Sequence, residues 1–146
     1  KISLTNVQKV SSCKVDLYIE KKLTGKFYLL KGVELPIGTT LIYDDIKINN
    51  SVDQFGLYIK LTDGPTFNLT GSIDVTGTNV NVPGTNTLFL SELSVGDEVV
   101  ISEETRTVAT ITSDTAATVT AAFGSDLAND TTPDCNPTAL VDVIMN

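Results

Sequence analysis

The sequence of 146 residues contains no histidine, no tryptophan and only two cysteines. Without histidine, the usual hydrolytic triads lose their general base, and metal sites with imidazole ligands are excluded. None of the ten glycines precedes a Lys-Ser or Lys-Thr pair, so there is no phosphate-binding loop of the common kind. We therefore predict no catalytic residue, no cofactor and no enzymatic activity.

The number of cysteines and the hydropathy of the chain argue against further classes of protein. Cys13 and Cys135 lie far apart, which fits neither a disulfide framework nor metal-ligand spacing. We expect two free thiols; the alternative is one bridge that pins the C-terminal tail onto the first half. No apolar run reaches the ~20 residues of a spanning helix, and no signal peptide is visible, although the chain starts at Lys1 rather than Met. We predict no membrane partner.

Lysine is confined to the first half of the chain. All nine lysines lie at or before Lys60, together with six acids, whereas one arginine, Arg106, accompanies twelve acids after it. Such a shift in composition indicates two modules with a border in the sixties. We expect the mildly basic first half to meet an acidic partner surface, and the acidic second half to face solvent.

Short runs rich in Val, Ile and Thr, separated by turn residues, indicate β-strands throughout. In the first half we predict strands at 2–8, 14–19, 26–35, 39–43, 46–48 and 55–61, with a bulge at Gly32. The segment Thr62-Asp-Gly-Pro65 ends this module. We predict an all-β chain: a jelly-roll-like β-sandwich over residues 1–65, followed by a small antiparallel β-barrel over residues 66–146.

The second half continues the same pattern. We predict a hairpin around residues 76–78, a short helical turn at 89–93, and strands at 98–101, 106–111 and 117–123. Residues 124–137 are polar and predict a loop, and residues 139–145 predict a final strand that closes the sheet.

Acidic residues cluster without the spacing of a known metal site. Asp44-Asp45 is interpreted as a turn pair exposed to water. Asp97-Glu98 and Glu103-Glu104 are predicted in turns and lack the calcium-loop spacing. Calcium remains the alternative for the late loop, where three aspartates recur every four residues: Asp126, Asp130 and Asp134.

All four tyrosines lie in the lysine-bearing half. Aromatic residues interleaved with lysines are also typical of single-stranded nucleic-acid platforms. The net charge of −8 opposes that function, so we predict no nucleic-acid partner. Tyrosines with one wet edge favour subunit contacts, whereas Phe27 and Phe55 fall in core phase. The predicted interface consists of Tyr18, Tyr28, Tyr43, Tyr58, Lys26 and Lys60.

Two sets of segments carry a resemblance to known modules. The segments 15–19, 27–41 and 57–61 resemble the N-terminal modules of small virion proteins in tailed bacteriophages, particularly those of marine and cyanobacterial hosts. The second set is similar to a small β-barrel module of phage tail, fibre and decoration proteins: segments 71–78, 93–97, 106–108 and 113–115, with Phe89 and Ile111. Ser102-Glu103-Glu104 departs from this module, which has a glycine-containing turn there.

The resemblance implies a non-enzymatic structural protein of the virion, assembled in the cytoplasm of the host bacterium. We expect a capsid decoration or cement protein that binds the major capsid protein, or other virion structural proteins, and forms a homo-oligomer. A neck, tail or fibre-attachment subunit is the alternative. A carbohydrate-binding module is an alternative of another class, and it requires Tyr18, Tyr28 and Tyr58 to line one groove.

Overall fold

The computed structural model describes residues 1–21, 25–44 and 55–146. They form these elements: β1 (Ile2–Asn6), β2 (Cys13–Lys21), β3 (Gly25–Leu35), β4 (Thr40–Tyr43), β5 (Phe55–Thr62), β6 (Phe67–Asn68), β7 (Ser72–Val75), β8 (Asn81–Thr85), α1 (Phe89–Glu92), β9 (Glu98–Ile101), β10 (Glu104–Ser113), β11 (Ala116–Val119), β12 (Leu127–Asp130), β13 (Asp134–Asn136) and β14 (Val141–Met145). The all-β prediction is confirmed, and the strand predicted at 46–48 falls outside the described residues.

The chain divides into two compact units. The first unit contains Lys1–Gln8, Ser12–Asp63 and Ala139–Asn146, and the second contains Lys9–Ser11 and Gly64–Thr138. The predicted second module, residues 66–146, includes residues 139–146, whereas the structure places these residues in the first unit. The reason is strand pairing: β14 lies antiparallel beside β1.

The first unit is a sandwich of two three-stranded antiparallel sheets, with strand orders β14-β1-β4 and β3-β2-β5. One apolar cluster joins them, and its buried members are Ile2, Leu4, Cys13, Val15, Leu17 and Leu35. Buried Asn6 adds a polar link: its Nδ2 donates to the carbonyl of Leu35 on β3 at 2.9 Å. With six described strands, the unit falls short of the eight strands of a jelly roll.

The second unit contains one eight-stranded sheet rather than a closed barrel. Its strand order is β12-β7-β8-β11-β10-β9-β13-β6, so β12 and β6 end the sheet without pairing with each other. The sheet still encloses a core built around Ile73, Phe89, Leu93, Ile101 and Val108. The predicted barrel is therefore wrong in its closure. The predicted loop at 124–137 is also wrong in part, because it contributes both β12 and β13.

Asp97, which the sequence predicts in a turn, is buried and structural. Its carboxylate accepts hydrogen bonds from the backbone N–H of Ser94 at 2.8 Å and of Thr138 at 2.9 Å. Cys135 Sγ lies 3.9 Å from Asp97 Oδ2, and burial, reinforced by this carboxylate, raises the pKa of the thiol to about 12. Both cysteines are free and buried, as expected.

Strands β9 and β10 are joined by the two-residue loop Ser102–Glu103. Both loop residues have positive φ, 46° and 71°. Two-residue hairpin loops with this backbone are type I′ turns, which favour asparagine and glycine because side chains of L-residues crowd the backbone there. With Ser102 and Glu103 in place of a glycine-containing turn, the hairpin still forms, but its backbone is strained at Glu103.

We expect Glu103→Gly to raise the free energy of unfolding by about 1 kcal/mol, because glycine adopts the left-handed conformation without the Cβ clash. Urea denaturation followed by circular dichroism measures the change. The matched control is Glu98→Gly in β9, where glycine only adds freedom to the unfolded chain and should lower stability. Equal destabilisation by both changes would contradict strain at Glu103.

Candidate docking surface on the first unit

Three tyrosines from three adjacent strands lie side by side on the outer face of the β3-β2-β5 sheet. Tyr18 on β2 is directly opposite both Tyr28 on β3 and Tyr58 on β5. Neighbouring Leu17 points into the core, so the alternation of a strand places Tyr18 on the opposite face. We call Tyr18, Tyr28 and Tyr58 the tyrosine row.

The rings of the row contact one another. The ring centroids of Tyr18 and Tyr58 are 5.5 Å apart with an interplanar angle of 15°, so these rings are stacked. Tyr28 is also 5.5 Å from Tyr18 but tilted by 48°. Central Tyr18 is only 9% exposed, whereas Tyr28 and Tyr58 are 44% and 46% exposed. The buried ring therefore fixes the positions of two rings that reach solvent.

Lysines cover ring faces in the row. Lys26 Nζ lies over the Tyr18 ring at 4.8 Å from its centroid, and Lys31 Nζ lies over the Tyr28 ring at the same distance. Exposed cation–π contacts of this kind contribute about 0.5–1 kcal/mol each. Tyr18, through attraction and hydrogen bonding, also raises the pKa of Lys26 above its ordinary value. The face thus presents aromatic and cationic groups together.

Oppositely charged residues face one another across the strands on both sides of the tyrosine row. Glu20 is opposite Lys26, and Asp16 is opposite Lys60. Cross-strand pairs of opposite charge stabilise a sheet modestly, and here they leave the rim of the row polar without a strong net charge. An aromatic centre with such a polar rim is the anatomy of a protein–protein interface.

The register that aligns Tyr28 with Tyr18 depends on two bulges in β3. Val15 is opposite Val33, yet Tyr18 is opposite Tyr28, so β3 advances five residues while β2 advances three. At the first bulge Gly32 has φ +61°, and its N–H donates to the carboxylate of Asp16 at 2.6 Å. Without the two extra residues, Tyr18 would face Leu30. The predicted bulge at Gly32 is confirmed.

Gly56 makes room for the ring of Tyr58. A Cβ at position 56 would lie 2.5 Å from Cε2 and 2.7 Å from the hydroxyl of Tyr58. The ring therefore leans along β5 over the glycine, where it also stacks against Tyr18. An aromatic ring that covers a strand glycine in this way replaces the packing that the glycine lacks.

The remaining predicted interface residues lie in different places. Lys60 is exposed on the same face as the tyrosine row, two residues beyond Tyr58. Tyr43 lies on β4 of the other sheet and packs half-buried against the core. The structure therefore brings together Tyr18, Tyr28, Tyr58, Lys26 and Lys60, but not Tyr43. Phe27, expected in the core, is 49% exposed.

Three residues that the sequence analysis did not select complete the surface. Lys31 covers Tyr28, Gly56 accommodates Tyr58, and Asp16 holds the bulge at Gly32. Only the bulge left a signal in the sequence, because a glycine inside an apolar strand indicates an irregularity. The contributions of Lys31 and Gly56 depend on register and ring orientation, which alternation does not reveal.

The late aspartates each accept a hydrogen bond from a different partner. Asp126 accepts from the N–H of Gly77 at 2.7 Å, Asp130 from that of Thr132 at 2.9 Å, and Asp134 from the Asn68 side chain at 2.7 Å. In the ranges that the structure describes, no three His, Cys, Asp or Glu residues gather where they could hold a metal ion. These acids thus act as turn and strand supports.

Comparison with known proteins finds no matching family model, no significantly similar curated protein and no significantly similar solved structure. Among the described residues, no helix has the length and hydropathy needed to cross a membrane.

We expect Gly56→Ala to displace the Tyr58 ring and break its stack with Tyr18. Tyrosine signals in near-ultraviolet circular dichroism should change clearly, while stability falls by no more than about 1.5 kcal/mol, the value of an aromatic pair. Gly124→Ala is the control, because its Cβ would meet Glu104 at an ordinary 3.4 Å, in the unit that holds no tyrosine. An unchanged tyrosine spectrum in Gly56→Ala would contradict the described stack.

Proposed function

We propose that the protein is a non-enzymatic structural subunit of a bacteriophage virion, which docks on the capsid or on neighbouring subunits through the tyrosine row. The observation that carries docking is the convergence of Tyr18, Tyr28 and Tyr58 on one solvent-facing sheet. The virion context is supported by the resemblance of the sequence to modules of phage structural proteins. A decoration or cement protein is the form that we favour.

The surface suits a protein partner better than a nucleic acid. Tyrosines are enriched at interface centres because they bury a large apolar ring and keep a polar hydroxyl at low entropic cost. The charge pairs beside the row contribute acids as well as lysines, so a phosphate backbone would meet repulsion from Glu20 and Asp16. A partner surface with both polar groups and apolar pockets would match the row and its rim.

A cement function requires only modest affinity at each copy. A subunit that contacts the shell and its own neighbours gains avidity, because the second contact forms at a high effective concentration. The acidic second unit supports this assignment, since it holds ten acids against Lys9 and Arg106 and would keep a decorated particle soluble. In this proposal the first unit binds and the second faces solvent.

We expect Tyr28→Ala and Tyr58→Ala each to weaken binding to particles assembled without the protein by about tenfold or more, as at an aromatic hot spot. Co-sedimentation of the purified chain with such particles measures binding. Leu90→Ala is the control, because it removes a similarly exposed apolar side chain, 52% exposed, from the second unit. Tyr18 is left intact because its ring is buried.

Each outcome of this experiment is informative. Loss of binding in Leu90→Ala, but not in the tyrosine variants, would move docking to the second unit. Failure of the unaltered chain to associate with particles would contradict the virion proposal itself. Copy number in purified particles then separates the two structural forms: many copies spread over the shell indicate decoration, whereas the copies of a single ring indicate a neck, tail or fibre-attachment subunit.

Carbohydrate binding is the second candidate, because the three tyrosines it requires lie on one face. Sugar rings bind by packing on exposed aromatic faces. Here Tyr58 stacks on one face of Tyr18, and Lys26 and Lys31 lie over the rings of Tyr18 and Tyr28. A sugar would therefore have to displace a lysine or use Tyr58, which makes protein docking the better-supported function.

A glycan array decides between the candidates. If the surface binds sugar, the isolated chain should bind a defined set of glycans, and Tyr58→Ala should remove that binding while Leu90→Ala retains it. We expect no glycan to bind. Glycan binding that depends on Tyr58 would favour the carbohydrate-binding module over protein docking.

A further inference from the structure

The sheet of the first unit that lies away from the tyrosine row has an open edge along β14. In the described residues, β14 pairs with β1 alone. The N–H of Val7 donates to the carbonyl of Leu140, and the N–H of Asn146 donates to that of Lys1. In an antiparallel ladder the bonded residues alternate, so the backbone groups of Val141, Val143 and Met145 point away from β1.

The side chains along this edge are apolar and exposed. Val143 is 45%, Ile144 56% and Met145 68% exposed. Val143 and Met145 are opposite buried Leu4 and Ile2, so they lie on the core side of the sheet, whereas Ile144 is opposite Ser3 on the outer side. Within the described residues, the edge thus offers unpaired backbone groups with exposed apolar side chains on both sides of the sheet.

The two edges of the other sheet of the first unit, which carries the tyrosine row, have features that discourage strand pairing. Edge strand β3 has two bulges together with Lys26 and Lys31, and edge strand β5 carries Lys60. Lysines and bulges are the usual protection of an edge. By contrast, β14 pairs with β1 over five residues without a register shift and contains no lysine or proline. Its only charged residue is Asp142.

Charge favours a second copy as the partner of this edge. The residues assigned to the first unit include eight lysines and eight acids, so that unit is neutral by formal charge. The full −8 of the chain belongs to the second unit. Two first units can therefore approach through β14 without net repulsion, which would not hold for contacts between second units.

We infer that β14 is a self-association edge, at which two copies pair antiparallel about a two-fold axis centred on Val143. In this register Val143 pairs with its own copy, and Val141 pairs with Met145 of the other chain. All the outward backbone groups of these residues then find partners, and the two three-stranded sheets become one of six strands. A two-fold contact of this kind closes upon itself and gives a dimer.

The small area buried by this strand pairing decides the concentrations at which the dimer must be sought. A five-residue strand is only about 17 Å long, so the pairing buries less than the ~1,600 Å² of a standard stable interface. The dimer is consequently weak in dilute solution and strengthens wherever copies are held close together. This inference is independent of what the tyrosine row binds.

Sedimentation of the full chain from micromolar to millimolar concentration tests self-association. The weight-average mass should rise from 15.6 kDa toward twice that value. Val143→Lys should keep the chain monomeric over the same range, and Val95→Lys, which alters a more exposed valine in the second unit, should associate like the unaltered chain. A constant monomeric mass, or equal association of both variants, would overturn the inference.

Cysteine cross-linking tests the register. Residues directly opposite in a bonded antiparallel pair have Cα atoms about 5.5 Å apart, within disulfide range. Val143→Cys should therefore form a covalent dimer on mild oxidation, whereas Ile144→Cys, whose copies are not opposite each other, should not. Native Cys13 and Cys135 are buried and give little background. Cross-linking of Ile144→Cys, or none with Val143→Cys, would exclude the pairing centred on Val143.

Discussion

The hydrogen bond from the Gly32 N–H to the carboxylate of Asp16 is the constraint on which the tyrosine row depends. It stabilises a bulge whose extra residue, with that of a second bulge, moves β3 along β2 by two positions. A net shift of two keeps the residues beyond both bulges on their own faces, and between the bulges it brings Leu30 opposite Leu17 of the core. Beyond the second bulge, the shift places Tyr28 beside Tyr18.

Strand β2 contributes both to the core of the first unit and to the tyrosine row. On β2, alternate residues Val15 and Leu17 are fully buried, and this burial fixes the orientation of the outward residues between and beyond them. Tyr18 is then held by rings on both neighbouring strands, so the exposed Tyr28 and Tyr58 adopt few conformations before a partner arrives. A surface ordered in advance loses less side-chain entropy on binding.

Sequence patterns predicted the parts of the fold that depend on local alternation. The strand at 98–101 has the predicted bounds, and β2, β3 and β5 lie within one or two residues of the predicted strands, because apolar residues alternate clearly there. Strands β12 and β13 were not predicted because they contain few apolar residues: Leu127 and Ala128 in β12, and Cys135 in β13. Hydrogen bonds that the carboxylates of Asp130 and Asp134 accept contribute to the placement of these two strands instead. Register, sheet order and the partner of β14 are long-range properties that no local pattern contains.

The position of β14 in the chain has a consequence for the order of folding. The first unit needs this strand beside β1, but the ribosome makes it only after the whole of Gly64–Thr138. During synthesis the second unit can therefore complete its sheet while β1 still has an open edge. The sandwich of the first unit can be completed only after residues 139–146 are made, so the surface that we assign to docking belongs to the unit whose last strand is synthesised last.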